Sequence, residues 1–298
     1  MKLPALKLGK RTLISVPTIW LLLFFAIPFL IVLKISFSMA AVAIPPYEPL
    51  FQFFDETFQI SLNFGNYLLL LDDPLYAEAF LGSLKIASVS TLLALALGYP
   101  IALGIARASP RWQSLLLLLI ILPSWTSFLI RVYAWMGLLS NSGLINSLLI
   151  SIGFIEEPIQ MLNTDFAVYV GIVYCYLPFM VLPLYANLVK QDPQLLEAAS
   201  DLGASRVHAF LSITLPLSLG GIIAGSMLVF IPVVGEFVIP ELLGGPDSLM
   251  IGKVLWQEFF NNRDWPVASA LAITLLVILI IPIAWFNAQQ SASLEDER

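Results

Sequence analysis

The sequence is poor in the residues that usually carry chemistry: one cysteine (Cys175), one histidine (His208) and only 11% charged side chains. A lone cysteine forms no intrachain disulfide, so the redox compartment is not readable from the chain. With no cluster of His and Cys, a zinc or haem site is not expected, and no metal ligands are assigned. The pattern G-x-x-x-x-G-K-[ST] is absent, so the chain lacks the loop that cradles nucleotide phosphates and is not expected to hydrolyse ATP itself. No nucleophile–base pair stands out either, so no catalytic residue and no enzyme activity are expected. A net charge of −6 gives no reason to expect a nucleic-acid partner.

Apolar sequence fills the space that charge leaves. Of 298 residues, 59% are hydrophobic, and charge-poor runs recur along the chain at the scale of about 20 residues needed to cross a bilayer. The pattern predicts an all-α integral membrane protein, a single domain over 1–298. Six spans are expected at about 13–37, 83–106, 114–138, 166–189, 213–239 and 267–287. The first follows Lys2, Lys7, Lys10 and Arg11 and lacks a small-residue cleavage site, so it reads as a retained anchor.

Basic residues orient the spans. The N-terminal tail, the 2–3 connection (Arg107, Arg111), the segment 190–212 (Lys190, Arg206) and the C-terminal Arg298 hold nine of the fourteen lysines and arginines. All fall on one side if both termini are cytoplasmic. The opposite side has only Lys253 and Arg263, while Lys34, Lys85 and Arg131 lie in or at the ends of spans. The outer connections are long and acidic: Glu48, Asp55, Glu56, Asp72, Asp73 and Glu78 in the first, Glu156, Glu157 and Asp165 in the second, Glu241, Asp247, Glu258 and Asp264 in the third. Depletion of basic residues suits an exported segment, and a negative funnel would also concentrate a cation. Within these connections 142–153 and 248–260 read as short interfacial helices, with Trp256, Phe259, Phe260 and Trp265 at a headgroup boundary.

One polar island interrupts the apolar sequence. Residues 190–212, KQDPQLLEAASDLGASRVHAFLS, are far longer than a turn requires. Asp192-Pro193 reads as a helix start. Leu195, Leu196, Ala198, Ala199 and Leu202 form its apolar stripe, and Gly203 ends it where a positive φ is needed. Ser205 caps a second short helix carrying Val207, Phe210 and Leu211, and Pro216 is expected in the first turn of the next span. A rigid helix–turn–helix joined to two spans is built to receive a push from the aqueous phase, although amphipathic connectors also lie on membranes.

Glu197-Ala198-Ala199, Gly203 and then Ile213-Thr214-Leu215-Pro216 resemble the EAA loop of permease subunits in binding-protein-dependent ABC importers. PSWTSFLIRVYAW (123–135) and GEFVIPELLGGP (235–246) look like the polyamine branch, and WQEFFNNRDWP (256–266) is similar to its putrescine-importing members. The resemblance spans nearly the whole chain. It implies a type I importer permease fold in a bacterial inner membrane. Its implied partners are lipid, a second homologous permease, two copies of a cytoplasmic ATPase that binds ATP and Mg, and an external polyamine-binding protein. It also implies that Glu197, Ala198, Ala199, Asp201 and Gly203 form the coupling helix seated on the ATPase; no cofactor is implied for this chain.

Cargo contacts are sought among polar groups that are costly in a membrane. Glu236, beside Gly235 and between Pro232 and Pro240, would suit an ammonium group in an interrupted helix, or would pair with Arg131 at the boundary. Glu241 is nearer water. Trp125, Tyr133 and Trp135 around span 3 and Tyr174 and Tyr176 in span 4 offer aromatic faces to a cation. Other importer cargoes (ferric ion, thiamine, sugars) and a self-contained ion-coupled transporter remain alternatives to polyamine at this point; the latter would call for internal inverted repeats.

Overall fold

The computed structural model describes residues 10–54, 57–246 and 248–296, with side chains at 14–51, 60–246 and 248–284. Lys2, Lys7, Asp55, Glu56, Asp247 and Arg298 lie outside the described residues, as do the side chains of Lys10 and Arg11.

The chain starts with α1 (Lys10–Leu21), a π-turn at Leu22–Ala26 and α2 (Ile27–Ser36). Within it the run Ile14–Ser36 is apolar over 23 residues and buries almost nothing. A helix apolar on every side needs lipid or another membrane protein around it. After it come two elements missing from the expected all-helical pattern: strands β1 (Phe51–Phe54) and β2 (Thr57–Ile60), paired antiparallel as a small hairpin. Alternation in a four-residue strand is too brief to stand out against the surrounding apolar sequence.

Helix α3 (Gly65–Asp72) leads to α4 (Pro74–Arg107), which runs for 34 residues. The expected span 83–106 is therefore only its apolar part. Pro74 suits the first turn, and Glu78 and Lys85 are compatible with a helix standing outside hydrocarbon.

The expected third span, 114–138, is not one helix. Helix α5 (Pro110–Ile121) passes into a 3₁₀ turn at Leu122–Trp125, Thr126 and Ser127 are extended, and α6 (Phe128–Leu139) begins afresh. Pro123 lacks the amide that would continue the ladder. The run long enough to cross is Phe128–Ser151, combining α6, a tight turn and α7 (Leu144–Ser151). The stretch 142–153, expected as an interfacial helix, thus extends that run.

Helix α8 (Asp165–Leu188) agrees with expectation within a residue. The polar island forms α9 (Pro193–Asp201) and α10 (Arg206–Ala209), followed by a π-turn at Phe210–Thr214 and a single turn, α11 (Leu215–Leu217). The expected span 213–239 is shortened to α12 (Leu219–Val234), which bends 61° from the segment Arg206–Leu217 before it. Pro216 stands ahead of that bend, not in the first turn of the span. Beyond Gly235 the chain re-forms as α13 (Val238–Leu243) and α14 (Ile251–Trp256), then a π-turn and α15 (Trp265–Asp296). The stretch 248–260 does not lie free on a surface, because Met250, Ile251 and Val254 are buried. Among the described residues five helical runs are long and apolar enough to cross a membrane, six if the bent pair counts as one.

These elements fall into two compact units, residues 1–74 with 255–277 and residues 75–254 with 278–298. In the first, Phe259 stacks on Trp265 with ring centroids 4.9 Å apart, and buried Asn66 donates to the carbonyls of Ser36 and Ser38. In the second, α8 is the centre. Fully buried Met180 lies between Gly98 of α4 and Gly225 of α12, and a Cβ on either glycine would fall 2.9 Å from it. Close helix approach through small residues is how apolar helices pack without a hydrophobic driving force.

Candidate functional site

At the polar island the local chemistry is complete. The Asp192 carboxylate accepts from the amide of Gln194 at 2.9 Å, and the Ser205 hydroxyl accepts from the amide of His208 at 3.2 Å, so both helix starts are capped. Between them Gly203 has φ +81°, with no neighbour within 4 Å of where a Cβ would stand. Its glycine is required by backbone conformation, not by space. The amides of Gly203 and Ala204 return to the carbonyls of Ser200 and Ala199, both at 2.9 Å, closing the turn. Glu197, Ala198, Asp201 and Gly203 are exposed and Ala199 is half-buried. Leu202 is 89% exposed and Val207 69%, beside a groove lined by Ala199, Leu202, Gly203, Ala204, His208 and Ser212. An apolar pair displayed on a polar, rigidly capped element is a surface shaped for contact.

At the far end of α12 the helix breaks. Glu236 is 8% exposed. One carboxylate oxygen, Oε1, accepts from the amides of Val238 at 3.0 Å and Ile239 at 3.4 Å, at the start of α13. The other, Oε2, accepts from the phenol of Tyr176 on α8 at 2.6 Å. A carboxylate has about four acceptor positions, so one on Oε2 remains for a further donor. Glu236 makes no ion pair with Arg131; Lys253 and Glu241 do pair, at 3.2 Å. Arg131 instead lies over the Phe128 ring, 5.6 Å from its centroid, and its Nε is buried with no partner.

The candidates therefore separate. Tyr176 and Glu236 are joined directly, and Trp135 meets Tyr174 edge to face at 5.4 Å. Glu241 is half exposed and already engaged by Lys253. Trp125 (73% exposed) and Tyr133 (54%) stand on the outer surface. Residues not singled out in the sequence also matter: Ser248 donates to Asp165 at 2.6 Å, and Ser83 accepts from the amide of Ile251 at 2.8 Å, fixing the loop after α13. These pairs lie 83 and 168 residues apart, beyond any local signal. Among the described residues no group of three or more His, Cys, Asp or Glu is placed to hold a metal.

Comparison with known proteins adds to this geometry. Residues 94–290 match the family described as binding-protein-dependent transport system inner membrane component. The chain is 42% identical over 269 residues to the spermidine/putrescine transport system permease protein PotB of Escherichia coli K12, covering 89% of this chain and 93% of that one. It is 40% identical over 264 residues to the protein of the same name from Haemophilus influenzae, covering 89% and 88%. In fold it resembles a chain of a bacterial ABC transporter involved in the import of the acidic polysaccharide alginate. The TM-score is 0.71 and identity 18%, over 95% of this chain and 94% of that one.

Proposed function

Since this chain belongs to the family of binding-protein-dependent transport system inner membrane components, we propose that it is the polyamine-conducting permease subunit of an ABC importer, with putrescine as a cargo. It is a multi-pass membrane transport subunit, not an enzyme, with the type I importer-permease fold. The observation that carries the cargo is the 40–42% identity to spermidine/putrescine permeases over 89% of its length. A cytoplasmic ATPase, present in two copies with ATP and Mg, supplies the energy. A second permease completes the pathway, and an external binding protein delivers the polyamine. Both termini and the 190–212 element face the cytoplasm.

In this reading Glu197, Ala198, Ala199, Asp201 and Gly203 seat on the ATPase, and the capped turn transmits its closure as one body. Glu236 receives a substrate ammonium at the open position on Oε2. Tyr176 orients the carboxylate, and Trp135 and Tyr174 offer aromatic faces along the path. Glu241, held by Lys253, is the weakest member of the set, with Trp125 and Tyr133 nearer the periphery. Buried charge-assisted contacts favour a dication over a neutral cargo.

The test is ATP hydrolysis by the assembled complex in vesicles, with its binding protein and one amine at a time. Putrescine is expected to stimulate hydrolysis and uptake together. Stimulation by thiamine or ferric ion, with none by any polyamine, would overturn the cargo assignment.

A further inference from the structure

The 61° bend between Arg206–Leu217 and α12 falls at Ser218, a residue with no exposed surface. Its hydroxyl donates to the carbonyl of Leu215 at 2.8 Å, the back-bonding by which a serine bends a helix. A serine has one hydroxyl hydrogen. The phenol of Tyr99, 2.9 Å from the same oxygen, is therefore the donor in the second bond. Tyr99 reaches across from α4, is 9% exposed, and sets its ring edge-on to Phe210 at 5.8 Å. One side chain thus holds the bend at two points, the oxygen at its corner and the ring in the shorter arm.

Two further features mark this corner as adjustable. The arm before it contains a π-turn at Phe210–Thr214, where the regular ladder is loosened. Within that turn Thr214 is buried, yet its hydroxyl has no partner in this arrangement. An unpaired buried hydroxyl is a cost carried by this arrangement.

Downstream, α12 runs for 16 residues to the break that carries Glu236, a rod of about 24 Å at 1.5 Å per residue. A tilt of about 5° at the corner displaces the far end of such a rod by about 2 Å, enough to remake a hydrogen bond.

We propose that the Tyr99–Ser218 hydrogen bond is the pin of a hinge that converts movement of the 190–217 element into tilt of α12, making Tyr99 a positioning residue for transport. This rests on reading 190–212 as the ATPase-coupling element.

The readout is polyamine taken up per ATP hydrolysed, in the full complex of both permeases, ATPase and binding protein, reconstituted in vesicles. Tyr99→Phe removes the donor but keeps the ring. It is expected to lower that ratio about fivefold, a modest coupling loss, while binding-protein-stimulated hydrolysis persists. Ser218→Ala should lower the ratio at least as far, and adding Tyr99→Phe to it should cost nothing more, because both act through one bond. An unchanged ratio in Tyr99→Phe overturns the hinge, as do additive losses in the double variant. If Ser218→Ala does not assemble, Tyr99→Phe decides alone. Gly203→Val in parallel separates the two ideas. If it uncouples while Tyr99→Phe does not, only the hinge fails; if neither uncouples, the coupling role of 190–212 fails too.

Discussion

The two ends of α12 are built on opposite principles. Ahead of its start, over 192–208, shape comes from neighbours in sequence: Asp192, Gly203 and Ser205 each satisfy or free backbone groups within four residues. The result is stiff, exposed and without tertiary cover over Leu202. At the Glu236 end, shape comes from across the fold. The carboxylate is held by α13 and by a phenol 60 residues away, and it is buried. The first arrangement keeps its form while something pushes on it. The second is balanced among several donors, so a ligand that takes one acceptor position alters the others. On the proposed function, the first would serve as a rigid receiver and the second as a responsive sensor.

The sharpest way to break this contrast is Gly203→Val. A β-branched residue at φ +81° carries more than the 1–2 kcal/mol or so that left-handed backbone costs an ordinary residue. Uptake by the reconstituted complex is expected to fall by more than about tenfold, on that energetic scale, with membrane insertion intact. Uptake at the original rate would mean the turn is not a rigid receiver.

Glu236→Gln tests the other end with a smaller effect. The amide retains an acceptor for the α13 amides but loses the charge. A lost charge-assisted contact predicts a rise of about tenfold in the half-saturating polyamine concentration, with assembly unchanged. Transport at normal affinity would remove Glu236 from the path. Smallest of all is Glu241→Gln, where a half-exposed ion pair with Lys253 is lost. Initial uptake rates are expected to change by less than about twofold, as for most surface pairs. A larger loss would bring Glu241 into the pathway beside Glu236.

The same contrast explains what could be read from the chain before its structure. Asp192, Gly203 and Ser205 act within a few residues, so cap and turn chemistry announced them. The bend at Ser218 did not announce itself, because a serine in an apolar run is ordinary until Tyr99 arrives from 119 residues away. Glu236 stood out as a costly charge, but its partners did not: pairing with Arg131 was as reasonable as capping α13 or accepting from Tyr176. The break at Thr126–Ser127 was hidden for another reason. Hydropathy measures apolar length, and 114–138 is apolar enough on average whether or not the backbone stays helical. The hairpin at 51–60 was missed because its strands are four residues each.

Helix α4 has a consequence for how one span is tied to the fold. Between Lys85 and Arg107 it is free of charge for 21 residues, about 31 Å at 1.5 Å per residue, which matches the hydrocarbon thickness of about 30 Å. The preceding stretch from Pro74 to Lys85 belongs to the same unbroken helix. It adds about 17 Å to the charge-free length and is packed, with Tyr76, Ala79 and Ser83 buried. Because the helix is unbroken, that packed stretch and the charge-free run behave as one rod, so a shift of the span is felt at Ser83 and the loop it holds.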